Sequence, residues 1–286
     1  MLDWIELTLI NIATYSLFLI GAKIISVKQK ITTIQVLYAG WLVAMITFLP
    51  FFLASLSNAP LFSQDAGFFY ALLAILLANL GFTFYALALQ TGDLSLISPL
   101  ENLRPLFVAA LSVILLGTTL SLENTLGILL ISVGAFALHL QKSLTRTIKA
   151  VFTTRESKLM LASGIAFAFT AIMDKVTLNY TKPLTYSFLA LIGLTLFSAF
   201  ASSKQTKTWK PVLNKHTITI GLLIAPAHLA IISAVSLQTP ALVVPLQMTR
   251  TLLLAVLGYF LFREKNIKQR LAGAAVMLAG VYLLLN

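Results

Sequence analysis

The sequence predicts an all-α integral membrane protein of ten transmembrane helices built as two inverted five-helix repeats, and three observations predict it. The first is composition. Hydrophobic residues make up 59% of the 286 positions and charged residues only 10%, with a mean hydropathy of +0.94, far from the balance of a soluble domain. The second is length: apolar windows of roughly 18 to 25 residues, enough to cross about 30 Å of hydrocarbon at about 1.5 Å per residue, recur ten times. The third is duplication. Pro99, Arg104, Gly127 and Gly134 recur 146 residues later as Pro245, Arg250, Gly273 and Gly280. Of the ten identities in forty aligned positions six are Leu or Ala, which any two apolar helices share, so the Pro, Arg and Gly matches carry the weight.

The expected spans lie near 4–22, 33–56, 67–90, 94–116, 120–140, 158–178, 184–202, 217–237, 241–262 and 267–285. Lys28 and Lys30 close the first, and the turn-forming Ser57-Asn58-Ala59-Pro60 follows the second. Gly92-Asp93 separates the third from the fourth, and Thr239-Pro240 opens the ninth. Residues 1–140 form the first repeat and 158–286 the second. Between them, residues 141–157 carry Lys142, Arg146, Lys149 and Arg155 and are expected to be a basic surface linker. Five spans is an odd number, so the second repeat enters the membrane in the opposite direction, which makes the repeats inverted. Leu89-Gln90-Thr91 against Leu237-Gln238-Thr239, and Lys23 against Lys175, agree weakly with that alignment. Met1 to Glu6 lacks the basic flank of a signal peptide, so the first span is expected to be a mature helix.

The formal net charge of +11 and pI near 9.9 come from clusters between apolar runs, which suit anionic lipid and argue against nucleic acid. The chain has no Cys, hence no disulfide framework, thiolate metal site or cysteine nucleophile. Sixteen of the 20 Lys and Arg fall in the loops after the odd-numbered spans, and only Lys175 and Lys182 lie on the other face. Basic residues stay cytoplasmic, so this bias places both termini outside.

Polar residues within the spans are few. In span four Ser98, Glu101, Asn102, Pro105 and Ser112 form one helical stripe, expected to face the interior. Glu101 and Arg104 stand three apart and can form an intrahelical ion pair. Alternatively, Arg104 and its repeat mate Arg250 converge on an anionic group, with Glu101 as partner or as a titratable carboxylate. Two arginines and one glutamate leave one positive charge, which a substrate anion or another carboxylate would neutralise. Asp174 in span six is such a carboxylate, although its place beside Lys175 reads as an interfacial ion pair. Span six carries the stripe Ser163, Phe167, Thr170, Asp174 and Thr177, span one carries Thr8, Asn11 and Tyr15, and span three carries Asn79, Phe82, Thr83 and Tyr85. His228, two residues after Pro226 in span eight, suits either proton relay or hydrogen-bonded packing. His139 and His216 lie at helix ends, so no metal site is expected. Gly127 to Gly134 and Gly273 to Gly280 are each two turns apart, a spacing for close helix packing.

With its five-plus-five duplication, its proline-initiated spans four and nine (Ser98-Pro99-Leu100 and Val244-Pro245-Leu246), Arg263-Glu264 ending span nine and glycine-punctuated spans five and ten, the chain resembles the drug/metabolite transporter superfamily in its ten-span form with two EamA domains. Lys23 and Lys175 at span ends complete the pattern, which covers essentially the whole chain. One departure is Thr118, where such proteins often carry an acidic residue. The resemblance implies carrier-type transport of small metabolites, with spans 1, 3, 4, 6, 8 and 9 around a central cavity. It also implies termini inside, against the basic-residue bias.

The sequence contains no Gly-rich phosphate loop, Ser/His/Asp set or acidic metal motif, so it is not read as an enzyme acting on lipid phosphates. Without a nucleotide-binding motif, transport is expected to be driven by gradients or to be exchange. The alternative is a non-transporting scaffold or receptor. The expectation is a plasma-membrane secondary transporter of small organic metabolites, amino acids and other carboxylates among them. Its substrate-binding or coupling candidates are Arg104, Arg250, Glu101, Asn102, His228, Asn79, Tyr85, Tyr15 and Gln247. No cofactor is expected. The expected partners are a small-molecule substrate, the lipid bilayer and the proton as coupling ion, and both a monomer and a homodimer fit.

Overall fold

A computed structural model of the chain describes residues 2–29, 31–56, 60–91, 94–139, 144–206, 213–262 and 267–286, and every regular element in them is helical. In chain order the helices are α1 (Trp4–Gln29), α2 (Thr33–Leu56), α3 (Asp65–Thr91), α4 (Leu94–Glu101), α5 (Arg104–Leu116), α6 (Leu122–His139) and α7 (Leu144–Thr153). There follow α8 (Arg155–Thr177), α9 (Pro183–Thr206), α10 (Lys215–Gly221), α11 (Ile224–Leu237), α12 (Pro240–Met248), α13 (Arg250–Phe262) and α14 (Ile267–Leu285). Among the described residues eight segments are long and apolar enough to cross a membrane, and Leu122–Leu138 and Leu271–Leu285 are shorter apolar helices. The expected turn at Ser57–Ala59, the Gly92-Asp93 break and the Arg263-Glu264 pair lie outside the described residues, as do the side chains of Ser98 and His139.

Three of the expected spans are not continuous helices. Span four breaks between α4 and α5, because Pro105 has no N–H to give the Glu101 carbonyl and its ring disfavours the preceding helical turn. The chain tightens there, with Asn102 N–H bonding Pro99 O and Leu103 N–H bonding Leu100 O, both at 3.2 Å. Span nine breaks at the equivalent place, at Thr249, without a proline. There Thr249 Oγ1 donates to Leu246 O at 2.7 Å and Thr251 Oγ1 to Met248 O at 2.9 Å. Such back-bonding competes with the helical ladder and bends it. Span eight breaks between α10 and α11 because Pro226 leaves the Leu222 carbonyl without its helical donor. Within the segment expected to be a basic surface linker, α7 occupies residues 144–153.

By packing, the chain divides into two units that do not follow the sequence halves: Met1–Asn79 with Met173–Leu237, and Leu80–Ile172 with Gln238–Asn286. In the first unit α1 lies against α11 and α2 against α9. Asn11 Nδ2 donates to Ala227 O at 2.8 Å, and Gly40 admits the side chains of Ile224 and Phe18 where a Cβ would collide. In the second unit the main contact is α6 on α14. A Cβ on Gly127 would stand 2.8 Å from Gly280 O, and one on Gly134 2.6 Å from Gly273 O. The backbones therefore touch at four glycines, the packing role their spacing predicts. Because Gly127 meets Gly280 and Gly134 meets Gly273, α6 and α14 run in opposite directions.

Candidate functional site

The polar residues of spans four and nine meet at the two helix breaks of the second unit. Glu101 ends α4 and Arg104 starts α5, while Gln247 lies at the end of α12 and Arg250 starts α13. Arg250 Nη2 stands 3.9 Å from Glu101 Oε1. Arg104 Nη2 donates to Gln247 Oε1 at 3.4 Å, and its guanidinium lies 5.6 Å from the centre of the Phe167 ring. Tyr85 OH reaches the other oxygen of Glu101 at 3.5 Å. Phe82 meets Phe167 edge to face, with ring centres 5.0 Å apart, and Ser163 Oγ holds α8 to α3 through Gly81 O at 2.9 Å. Asn102 is buried at the break itself.

Among the described contacts the ion pair of Glu101 is with Arg250, not with Arg104 along one helix. The intrahelical alternative presupposes an unbroken turn between them, and Pro105 removes it. Each arginine instead reaches into the other sequence half. Adding 146 carries Glu101 onto Gln247 and Arg104 onto Arg250, so Arg250 to Glu101 and Arg104 to Gln247 are the same contact with the halves exchanged. The pattern is that of a two-fold contact, in which residue i meets j and j meets i. Only its charge is asymmetric: one arginine faces a carboxylate, its mate an amide. Both contacts are longer than the roughly 2.7–2.9 Å of a tight charge-assisted bond. Intramembrane arginines cost about 2.5–3.5 kcal/mol each on insertion scales.

The remaining candidates lie in the first unit. Tyr15 sits beside Phe18 on α1, with ring centres 5.8 Å apart, and Asn79 is half-buried on α3. His228 on α11 meets Trp41 edge-on at 6.4 Å, and its Nε2 has no hydrogen-bond partner among the described residues. Of the two alternatives for His228, proton relay and hydrogen-bonded packing, the described residues supply no hydrogen bond at this nitrogen. Nor is Asp174 ion-paired with Lys175. The Tyr186 hydroxyl donates to the Asp174 carboxylate, while Lys175 Nζ donates to Val235 O at 2.9 Å and to Ser236 O at 3.0 Å. A cation on the last carbonyls of α11 is favoured by the helix dipole, by about 0.3–1 kcal/mol when exposed and up to about 2 when partly buried.

The EamA-like transporter family matches residues 3–140 and 155–286, nearly the whole chain in two copies. The chain belongs to that family. It is therefore a multi-pass membrane protein of a transporter family, in keeping with its apolar helices. No curated protein matches it in sequence. A solved structure described only as the crystal structure of a protein is similar in fold, with a TM-score of 0.74 over 97% of this chain and 94% of that one, at 14% identity.

Within this EamA-like fold, Thr118, where the resemblance led us to expect an acid, shares a hydrogen bond with Thr239 at 3.2 Å. Thr239 caps α12. Sequence reasoning named Phe167 only as one member of a stripe and did not see it beneath Arg104. It missed Tyr186 altogether, because a tyrosine one turn into an apolar helix carries no pattern that points at Asp174. The reciprocal contact did have a signal: Glu101 and Gln247, like Arg104 and Arg250, are repeat mates.

Proposed function

We propose that this chain is a secondary transporter of ten spans in two inverted repeats, which moves a small organic anion by alternating access. The observation that carries the reading is the reciprocal pair of arginines. Among the described residues the formal charges of Arg104, Arg250 and Glu101 sum to one positive charge at the breaks of spans four and nine, in a segment that otherwise crosses hydrocarbon. Arginine presents a planar fork of donors that matches a carboxylate or phosphate bidentately. A ligand anion would complete the charge balance, and the length of the existing contacts supports their yielding to it. Amino acids and other carboxylates fit best, since Phe82, Phe167 and Tyr85 border the charges with apolar surface.

Broken helices near the middle of a span expose backbone groups that lipid cannot satisfy, which is tolerated where a cavity or ligand is served. The exchange symmetry of the Gly127–Gly280 and Gly134–Gly273 contacts supports the inverted repeat, because antiparallel fifth and tenth spans follow from it. A scaffold would gain nothing from two arginines placed as repeat mates. Where transport is coupled to protons, we assign the proton to His228. The basic-residue bias supports termini outside, in the plasma membrane.

The test is an untargeted comparison of metabolites in cells expressing and lacking the chain. A carboxylate or phosphate that changes, and is then taken up by proteoliposomes holding the purified protein, is the expected result. A transported solute that is neutral or cationic would overturn the anion reading.

A further inference from the structure

Helix α7 lies in the segment between the two family repeats and has no part in the arginine site. Its sequence, LTRTIKAVFT, is sharply two-sided. At about 100° per residue, Leu144, Ile148, Val151 and Phe152 fall within one arc of about 100°, and Thr145, Lys149, Thr153 and Arg146 fall in the neighbouring arc of about the same width. The structure leaves the apolar side uncovered at Leu144 and Ile148, which are 51% and 49% exposed. Ten residues rise only about 15 Å, half of what a membrane span needs. Acyl chains around a span therefore cannot be what covers that face.

Only Thr154 separates α7 from the membrane-crossing α8. Its side chain caps α8: Thr154 Oγ1 accepts from Ser157 N–H at 3.3 Å and donates to Ser157 Oγ at 2.8 Å. A capped span start one residue away holds α7 at the level where the bilayer begins. The charge there is strongly positive. Lys142, Arg146, Lys149, Arg155 and Lys158 fall within seventeen positions that hold one acidic residue, Glu156.

We propose that α7 is an interfacial anchor, its apolar side sunk among acyl chains and its basic side bound to the headgroups of anionic phospholipid. Short amphipathic helices with basic polar faces bind such interfaces through buried apolar area plus attraction to anionic lipid. The position of α7 on the face richest in Lys and Arg fits the cytoplasmic leaflet, where anionic lipid concentrates. In the same unit α7 packs against α4, the half-helix that ends at Glu101.

Because the chain has no Cys, single spin labels can be placed at Ile148→Cys and Thr153→Cys in the full protein. Each is reconstituted in vesicles of phosphatidylcholine with or without phosphatidylglycerol, and collisions with oxygen and with a water-soluble nickel complex are measured. The expected result in phosphatidylglycerol vesicles is a label at Ile148→Cys that is oxygen-accessible and several-fold shielded from nickel, with Thr153→Cys showing the reverse. Shielding should weaken without phosphatidylglycerol and in the Arg146→Gln, Lys149→Gln background, whose folding is checked by its melting temperature. Equal nickel access at both labels would overturn the proposal. So would shielding that is unchanged in phosphatidylcholine alone or in detergent, which means docking on protein, or that disappears on diluting protein in lipid, which means a second copy.

Discussion

Glu101 and Gln247 occupy equivalent places in the two repeats and differ by one charge, so the arginines they meet are chemically unequal. Arg250 faces a carboxylate and Arg104 an amide. Lysine would keep each charge and lose the fork, since an ammonium is a point charge without bidentate geometry. Arg104→Lys and Arg250→Lys should each weaken binding of the anionic solute by about tenfold or more, a loss of about 1.4 kcal/mol or more, with little change in folded protein. Binding to the purified variants checks this, and wild-type affinity in both would remove the guanidinium geometry from recognition. The His228 imidazole leaves Nε2 without a partner among the described residues, a poised place for a proton to arrive. His228→Gln should make uptake in proteoliposomes nearly independent of an imposed pH gradient. Full retention of the gradient response would take His228 out of the coupling.

Among the elements, the α6–α14 pair was the most legible in sequence, because glycines two turns apart in both repeats allow backbones to touch. Gly134→Ala would drive a Cβ to 2.6 Å from Gly273 O, and backbone cannot step aside as a flexible side chain can. That variant should cost about 1–3 kcal/mol of stability. Gly164→Ala in α8 would meet only Phe107 at ordinary contact, 3.5 Å away. It should be neutral or slightly stabilising, since alanine favours helix by about 0.5–1 kcal/mol over glycine. Melting both variants in detergent separates the two expectations, and an equal response would contradict the contact. The helix breaks were less legible. Apolar periodicity runs unchanged through Glu101-Asn102-Leu103 and Thr249, and only Pro105 and the paired threonines mark the loss of a backbone partner. The hidden helix α7 escaped notice because its charges read as a loop, while its apolar residues recur at helical rather than contiguous spacing.

At the scale of the whole molecule, composition and apolar length were enough for a multi-pass membrane protein, and the family match to both halves agrees with the duplication. Which residues meet was left open, because spacing along one helix allowed Glu101 with Arg104 while the described contacts are made across the repeats. Topology is directly testable at the two ends of α8. Asn179 and Thr145 are both exposed and lie on either side of that span. With termini outside, a membrane-impermeant thiol reagent on intact cells should label Asn179→Cys and spare Thr145→Cys, and the reverse labelling would mean termini inside. The central claim, that a net positive charge shared by reciprocal arginines receives the substrate, depends on a single amide. Gln247→Glu preserves shape and the contact to Arg104 while cancelling that charge, and it should weaken equilibrium binding of the anionic solute by about tenfold or more. Adding Glu101→Gln exchanges the two unequal mates and restores the net charge, so affinity should return toward the wild-type value. Unaltered affinity in folded Gln247→Glu protein, or no recovery in the folded double variant, would contradict the account.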